Sequence, residues 1–256
     1  MILLSTSSLN WYWLHRIFKF AHKAWFDWLD ISLSKLHFDY WDEDYIKELS
    51  DSFNMPVLSI TAPPIWMNQK KAESIIKIAL KLWTQIVTFS PPHFRDKETS
   101  WFNKYLLKAK RDTHITIAIQ NVEPKFLFFI IPEYKNSTLS EIKEITWSSS
   151  LDLSNIEPSS GMDILKAQKI LWGSLKNIFL SDRQGVRVWL LPWWAGWGIS
   201  YLPLESFFMK LKTTWYNWFI TLKVKPSELW VWTEEKILQN LEYTLSYYKK
   251  HFLNYK

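Results

Sequence analysis

The sequence predicts an α/β fold, a single (β/α)₈ TIM barrel that takes in residues 1–256 as one domain. Short apolar, strand-like runs alternate with amphipathic helical patterns eight times along the chain. No linker rich in proline, glycine or serine divides it. The chain has 256 residues, of which 48% are hydrophobic, and that is enough for one large core. Eight successive strand–helix units favour a closed parallel sheet surrounded by helices.

Strands are predicted where apolar and β-branched residues cluster in short runs between turn signals. In chain order they are Ile2–Thr6, Leu29–Leu33, Val57–Thr61, Ile86–Ser90, Ile115–Gln120, Leu151–Leu153, Asn177–Ser181 and Phe219–Val224. Helices are predicted from apolar residues three and four apart, as in the stripe of Ala72, Ile75 and Ala79. They cover Leu14–Ala24, Asp42–Phe53, Gln69–Leu82, Ser100–Lys110, Leu139–Ile145, Asp163–Leu171, Leu202–Lys212 and Glu234–Phe252.

Function in a TIM barrel collects at the carboxyl ends of the strands, so inward-facing residues there are candidate site residues. Side chains alternate between the two faces of a strand, and the aliphatic face should pack on the helices. The other face of the fifth to eighth strands then brings together Gln120, Asp152, Phe179 and Lys223. The adjoining loops add Asn121, Asn155, Asp182 and Arg183.

Composition excludes several classes of protein. The chain has no cysteine, so it has no disulfides, thiol nucleophile or cysteine metal ligands, which agrees with a cytoplasmic location. No apolar run is long enough for a membrane span, and the first residues lack the basic region of a signal peptide. The net charge of +6 comes from lysines scattered over helical segments. We therefore expect solvated helix faces and no nucleic-acid partner.

The balance of glycine and tryptophan is abnormal. The chain has 5 glycines and 18 tryptophans, whereas average usage predicts about 18 glycines. Trp25 and Trp83 follow helices where a terminating glycine is expected, and Trp215 and Trp218 precede the last strand. We hypothesise that most of these positions are glycine in the organism, with UGA codons read as glycine. The alternative is a protein that is truly rich in tryptophan.

A series of short motifs supports a family resemblance. They are Leu58–Pro63, Ala79–Trp83 before Val87–Ser90, Ile119–Asn121, Leu151–Asn155 with Gly161–Asp163, Ile178–Asp182 and Trp215–Lys223. In this order they resemble the xylose-isomerase-like barrel family of sugar and sugar-phosphate isomerases and epimerases, to which endonuclease IV is more distantly related. The resemblance implies a TIM barrel, and it implies glycine at the positions of Trp83, Trp215 and Trp218.

The same resemblance implies a divalent metal, Mn²⁺ or Mg²⁺, held by glutamate, aspartate, histidine and glutamate on the fifth to eighth strands. The two glutamates also exchange the substrate proton in that family. This chain carries Gln120, Asp152, Phe179 and Lys223 at those positions, so Asp152 is the only retained ligand. One carboxylate, one amide and an ammonium hold a hard cation poorly. We therefore expect that the metal has been lost and that no metal site remains.

Several roles stay open for the residues at the mouth. Lys223 could pair with Asp152, form a Schiff base with a carbonyl substrate, or bind a substrate anion. His93 follows the fourth strand, where the family often has a histidine that contacts substrate or metal, although a plain surface or structural role is the more common one for a lone loop histidine. Glu123 is the carboxylate nearest to Gln120 in sequence and a possible substitute base.

The sequence thus favours a sugar or sugar-phosphate isomerase or epimerase with a remodelled, metal-poor site. Lys223, Asp152 and Gln120 are the expected catalytic residues. The expected binding residues for the small-molecule sugar are His93, Asn121, Asn155, Asp182, Arg183, Gly196 and Gly198. The two glycines follow the seventh strand, where bare backbone N–H groups often approach a phosphate. One alternative is a catalytically silent barrel that binds a carbohydrate or sugar phosphate. A less favoured one is an endonuclease-IV-like repair enzyme.

Overall fold

The computed structural model describes residues 1–96, 99–128, 130–156, 162–192, 202–230 and 232–254. Eight parallel strands close into a barrel in which each strand pairs with its neighbours in the chain and the last pairs with the first. They are β1 (Ile2–Ser5), β2 (Trp28–Ser32), β3 (Val57–Thr61), β4 (Ile86–Phe89), β5 (Thr116–Gln120), β6 (Ser149–Asp152), β7 (Leu175–Leu180) and β8 (Phe219–Leu222). The predicted TIM barrel is confirmed.

Helices follow the strands and cover the outside of the barrel. They are α1 (Leu14–Lys23), α2 (Glu43–Ser52), α3 (Gln69–Lys81), α4 (Trp101–Asp112), α5 (Leu139–Thr146), α6 (Ile164–Leu171), α7 (Leu204–Thr213) and α8 (Glu234–Tyr248). Side-chain caps fix several starts: Asp163 Oδ1 accepts the Lys166 N–H at 2.7 Å, and Thr138 forms a capping box with Glu141. Among the described residues, no helix is long and apolar enough to cross a membrane.

The structure corrects three details of the sequence-based assignment. β6 begins at Ser149, not Leu151, because Ser149 and Ser150 are buried and their hydroxyls bond to Ser174 and Thr88 at 3.0 and 2.9 Å. The connection after β5 contains the hairpin Phe126–Leu127 with Ile131–Pro132, where the sequence predicts no strand. The connection after β7 contains the hairpin Asp182–Gln184 with Arg187–Leu190. Both hairpins stand beside the mouth of the barrel.

The interior of the barrel changes from apolar to polar towards the mouth. Leu3, Ile86, Ala118 and Phe219 form a small buried apolar cluster of their own. Asp30 on β2 is fully buried and accepts hydrogen bonds from the hydroxyls of Ser5, Ser59 and Thr61 at 2.7 to 2.9 Å. Burial raises the pKa of Asp30, although these hydroxyls and the charge of Lys223 oppose the rise. Polar side chains therefore lead up to the mouth.

Many tryptophans lie where the backbone is left-handed. Ten described residues other than glycine have a positive φ, and seven of them are tryptophan, with φ between 53° and 65°. They are Trp25, Trp66, Trp83, Trp147, Trp189, Trp215 and Trp230. A side chain at this φ brings Cβ against the carbonyl oxygen, which costs about 1–2 kcal/mol for a residue other than glycine. Trp218, which the sequence also places at an expected glycine position, is not among the residues with a positive φ.

Three of these tryptophans terminate helices in the same way. The N–H groups of Trp25 and Phe26 bond to His22 O and Ala21 O at 3.2 and 3.0 Å, which is a Schellman motif with tryptophan at its left-handed position. The same pair of bonds ends α3 at Trp83 and α7 at Trp215. In contrast, α2 ends the same way with Asn54 at the left-handed position, and Gly173 with φ of 85° follows α6. Asparagine and glycine are the residues that usually occupy such positions.

We predict that Trp215→Gly raises the free energy of unfolding by about 1 kcal/mol, because glycine adopts the left-handed region without the Cβ clash. Urea unfolding measures the change. Trp215→Ala is the matched control, since it removes the same indole, which is 88% exposed, but keeps Cβ. The conformational explanation is wrong if alanine stabilises the protein as much as glycine does.

Candidate active site at the mouth of the barrel

A cavity of about 290 Å³ lies at the carboxyl ends of the strands. Strand ends and the turns after them supply one part of its wall, and the connections that follow β5 and β7 supply the rest. The lining residues are Ser32, Thr61, Ala62, Pro64, Ser90, Gln120, Val122, Glu123, Lys125, Glu133, Tyr134, Asn155, Trp189 and Lys223. This is where active sites of TIM barrels are found.

An ion pair lies at the centre of the site. Lys223 Nζ contacts Asp152 Oδ2 at 2.9 Å, and the Asp152 side chain is completely buried, whereas that of Lys223 is 17% exposed. The backbone N–H of Ser154 donates to Asp152 Oδ1 at 3.2 Å, so both carboxylate oxygens have partners. The lysine follows β8 and the aspartate ends β6, so the pair spans β7 between them. Of the three roles open for Lys223, the structure displays the ion pair.

Aromatic rings flank this ion pair. The Lys223 ammonium lies 4.7 Å from the ring centre of Phe179 and 5.8 Å from that of Trp189. Both distances are within the range of a cation–π interaction. Trp189 Nε1 also donates a long hydrogen bond of 3.4 Å to Asp152 Oδ2, which places the indole beside the pair and in the cavity wall. Phe179 thus contacts the cation directly, in the position where the resembled family has a histidine ligand.

Gln120 presents a polar group without a partner. Its Nε2 donates to Ser90 Oγ at 2.6 Å, while its Oε1 is buried and has no hydrogen-bond partner among the described residues. The amide is 5% exposed and lines the cavity. An unpaired buried carbonyl costs about 1–3 kcal/mol, so a ligand hydroxyl that donates to it would gain correspondingly. Gln120 is therefore suited to recognise a polar substrate.

Asn121 and Asn155 support the site in different ways. Asn121 exchanges two hydrogen bonds with the backbone of Asp152, at 2.6 and 3.0 Å, and so fixes the end of β6 beside the end of β5. Asn155 Nδ2 donates to Asn121 O at 3.0 Å, and this side chain also lines the cavity. Asn121 is thus mainly a scaffold for Asp152, whereas Asn155 reaches the cavity.

Arg183 is buried with its donors already used. Its guanidinium donates to Ser154 O and Gly185 O and forms an ion pair with Glu123 Oε1 at 3.0 Å. Glu123 also pairs with Lys125 at 3.0 Å. Burial raises the pKa of Glu123, but the hydrogen bonds and charges of Lys125 and Arg183 outweigh it and lower the pKa below its usual value. These contacts leave Arg183 poorly placed to clamp a phosphate and make Glu123 a weak base.

His93 lies behind the cavity wall and holds a glutamate in it. The ring is 2% exposed, its Nδ1 accepts the Arg95 N–H at 3.1 Å, and its Nε2 lies 3.0 Å from Glu133 Oε1. Glu133 and Tyr134 line the cavity, and burial, with the nearby charges of Glu133 and Asp96, raises the pKa of Tyr134 to about 12. The tyrosine hydroxyl therefore stays protonated. His93 is connected to the cavity through Glu133.

The remaining sequence-predicted residues lie elsewhere. Asp182 is buried and accepts the Arg183 N–H at 2.7 Å, and it is not among the residues that line the cavity. Gly196 and Gly198 lie outside the described residues. Sequence reasoning missed Glu133, Tyr134, Lys125 and Trp189 because they come from the two hairpin connections, which carry no strand-end signal. The length of those connections was the only indication of their importance.

The residues at the mouth do not fit a divalent metal. Within the described ranges, no three histidine, cysteine, aspartate or glutamate side chains form a group that could hold a metal ion. Asp152 is already neutralised by Lys223, and Phe179 offers no donor atom. A hard cation needs several oxygen or imidazole ligands, and here an ammonium already pairs with the one carboxylate.

Comparison with known proteins gives the fold by structure alone. No protein-family model matches the chain, and no curated protein matches it by sequence. A D-psicose 3-epimerase from Clostridium cellulolyticum H10, in a structure with D-tagatose, is 12% identical with a TM-score of 0.67 over 98% of both chains. A xylose isomerase domain-containing protein from Salmonella typhimurium LT2 is 12% identical with a TM-score of 0.70 over 96% of both chains. An AP endonuclease of family 2 from Brucella melitensis is 14% identical with a TM-score of 0.68, over 96% of this chain and 98% of that one.

The chain therefore has the fold of the xylose-isomerase-like TIM barrels. Its structural neighbours include sugar epimerases and an AP endonuclease. At this level of identity the likeness extends to the fold, so the chemistry has to be argued from the residues at the mouth.

We predict that Lys223→Met lowers the free energy of unfolding at pH 7 by about 3–5 kcal/mol, because it leaves the buried Asp152 carboxylate without its counter-charge. The double variant Asp152→Asn/Lys223→Met removes both charges and should regain most of that loss. Urea unfolding of the wild type, the single variant and the double variant measures the three free energies of unfolding. Equal losses in the single and double variants would show that the ion pair is not what stabilises this part of the barrel.

Proposed function

We propose that this chain is a sugar or sugar-phosphate isomerase or epimerase whose site uses a lysine ammonium where the resembled family uses a divalent metal. The observation that carries the proposal is the position of Lys223. Its ammonium is held by Asp152 at 2.9 Å and lines the same cavity as Gln120 and Glu133. A fixed positive charge, an unpaired amide oxygen and a carboxylate thus face one small polar cavity.

These groups suit proton transfer beside a carbonyl. A base removes the proton from the carbon next to C=O, a carbon–carbon double bond forms, and the carbonyl oxygen takes up the negative charge. A positive group beside that oxygen stabilises the enediolate more strongly than the starting carbonyl. Return of the proton to the former carbonyl carbon isomerises the sugar, provided that the proton of the adjacent hydroxyl passes to the former carbonyl oxygen. Delivery of a proton to the opposite face of the original carbon epimerises it. Lys223 supplies the positive group in this proposal.

The charges around the cavity favour an uncharged sugar over a phosphorylated one. Its described lining includes two lysines, Lys125 and Lys223, and two glutamates, Glu123 and Glu133. Arg183, the expected phosphate ligand, pairs with Glu123. Gln120 Oε1, the Tyr134 hydroxyl and the Asn155 amide offer hydrogen bonds to sugar hydroxyls. Both classes of sugar belong in the test because the sequence predicts a phosphate contact at Gly196 and Gly198, which lie outside the described residues.

We expect the protein to exchange the proton beside the carbonyl of at least one ketose in D₂O, measured by NMR with a panel of free and phosphorylated ketoses. EDTA should not change the rate, because no metal takes part. Asp152→Asn/Lys223→Met, which removes both charges of the ion pair, should lose at least about 100-fold in rate. Exchange that EDTA abolishes and Mn²⁺ restores would refute the metal-free mechanism.

Two other functions can be distinguished from the proposed enzyme by experiment. Measurable sugar binding without exchange would favour the catalytically silent barrel and contradict the proposed enzyme. An endonuclease role would need the cluster of metal ligands that the described part of the chain does not contain. Cleavage of abasic DNA with added Mn²⁺ or Zn²⁺ would overturn the sugar assignment.

We also propose that the tryptophans at left-handed positions are glycine in the native protein, with UGA codons read as glycine. The low glycine count and the seven tryptophans with positive φ support it. The three Schellman motifs at Trp25, Trp83 and Trp215 support it further. The consequence for function lies at Trp189, whose indole forms part of the cavity wall beside Asp152 and Lys223. Glycine there would widen the mouth, so the exchange assay should include Trp189→Gly.

Peptide sequencing by mass spectrometry of the protein from its own organism tests this second proposal. We expect glycine at 25, 83, 189 and 215, and tryptophan at 101, where Trp101 is buried within α4. Tryptophan in the peptide that contains residue 215 would end the proposal. The gene itself provides the control, because UGA must be the codon wherever glycine is found and UGG wherever tryptophan is found.

A further inference from the structure

We infer that Glu133 is the proton-transferring carboxylate of this site and that His93 is its positioning residue. The inference rests on the proposed function, because it names the base for the same reaction. Neither residue corresponds to the strand-borne glutamates that the resemblance implies. Glu133 directly follows the short strand Ile131–Pro132 in the connection between β5 and α5.

The surroundings of His93 fix which ring nitrogen carries the proton. The Arg95 N–H donates to Nδ1 at 3.1 Å, so in the neutral ring the proton is on Nε2. Nε2 then donates to Glu133 Oε1 at 3.0 Å. Asp96 accepts the backbone N–H of His93 at 2.9 Å and holds the ring's own segment in place. The ring is buried and acts as a rigid support for one oxygen of the glutamate.

The backbone of Glu133 is held on both sides. Its N–H donates to Lys125 O at 2.9 Å, and its carbonyl accepts the Phe94 N–H at 3.0 Å. An isolated bridge between His93 and Tyr134 joins the same two segments. No hydrogen bond to Glu133 Oε2 is found within the described part of the chain, and the residue lines the cavity. A carboxylate that is fixed through one oxygen, on a residue that lines the cavity, is the arrangement that a general base requires.

The other carboxylates at the mouth are less suited to this role. Asp152 is completely buried, and both of its oxygens have partners. Glu123 pairs with Arg183 and Lys125, which lower its pKa and weaken it as a base. Among the described residues, Glu133 has the His93 ring as its side-chain partner and not a lysine or an arginine. The other charged residues that line the cavity are Lys125, Lys223 and Glu123, and Tyr134 follows Glu133 in the chain.

In the reaction, Glu133 takes the proton from the carbon beside the carbonyl and becomes a carboxylic acid. The electron pair of that C–H bond forms the carbon–carbon double bond, and the negative charge on the former carbonyl oxygen lies against the Lys223 ammonium. For isomerisation, the protonated Glu133 then returns the proton to the former carbonyl carbon. The proton of the neighbouring hydroxyl passes to the former carbonyl oxygen as that hydroxyl becomes the new carbonyl, and the Glu133 carboxylate is restored. No oxidant, reductant or second substrate is needed.

Glu133→Gln tests the base directly. We expect it to lower the D₂O exchange rate by about 100-fold or more, the usual contribution of a general base, with little change in KM. Glu144→Gln on the exposed face of α5 is the matched control and should leave the rate unchanged. The assignment is overturned if Glu133→Gln keeps the wild-type rate, and equally if Glu123→Gln abolishes exchange while Glu133→Gln does not.

A test of the positioning role of His93 needs a measured quantity that the loss of a merely structural residue would not change. His93→Gln retains an N–H donor and should keep most of the exchange rate, whereas His93→Phe should lower kcat at least tenfold with KM unchanged. Equal losses in both variants, or a loss only in KM, would remove the positioning role. Failure of the proposed function is distinguishable, because the wild-type protein would then show no exchange with any ketose and both inferences would fall together.

Discussion

The ion pair between Lys223 and Asp152 is the contact on which the rest of the site depends. A completely buried carboxylate needs a partner, because taking its charge out of water costs several kcal/mol. The ammonium supplies that partner and spans β7 from β8 to β6. Unlike a divalent ion, it carries one charge and has no open coordination positions. The ammonium can therefore polarise one substrate oxygen, but it cannot chelate two oxygens as a metal ion does. This limits the reactions that the residues at the mouth of the barrel can catalyse.

The charged residues around the cavity follow the same rule, that a charge removed from water needs a partner. Arg183 is buried and is matched by Glu123, while Glu133 receives a hydrogen bond from His93. Each cavity carboxylate therefore has a defined partner, but the partners differ: cations hold Glu123, and an imidazole N–H holds Glu133. The cations lower the pKa of Glu123. The two glutamates thus differ in the partners that hold them, and this difference cannot be predicted from their positions in the sequence.

The sequence predicted the barrel well because the pattern of eight buried strands and amphipathic helices is local. It also predicted that Gln120, Asp152, Phe179 and Lys223 converge, since the alternation of side chains along a strand determines which face points inward. It missed Glu133, Tyr134 and Trp189 because their positions depend on two hairpins that pair after β5 and β7. It placed His93 at the mouth, but burial behind Glu133 follows from the bridge to Tyr134, a contact distant in sequence.

The left-handed tryptophans connect the composition of the chain to the shape of its site. At Trp25, Trp83 and Trp215 the helices end in hydrogen-bonded turns that favour glycine, although each carries a large exposed indole. Trp189 has the same backbone conformation, with φ of 56°, but its indole covers the Lys223–Asp152 pair instead of pointing into solvent. Of these four tryptophans, Trp189 is the one whose side chain lies in the cavity wall. With tryptophan the cation is shielded on two sides by rings, and with glycine it faces a wider, more hydrated cavity, where its attraction for a substrate oxygen is weaker.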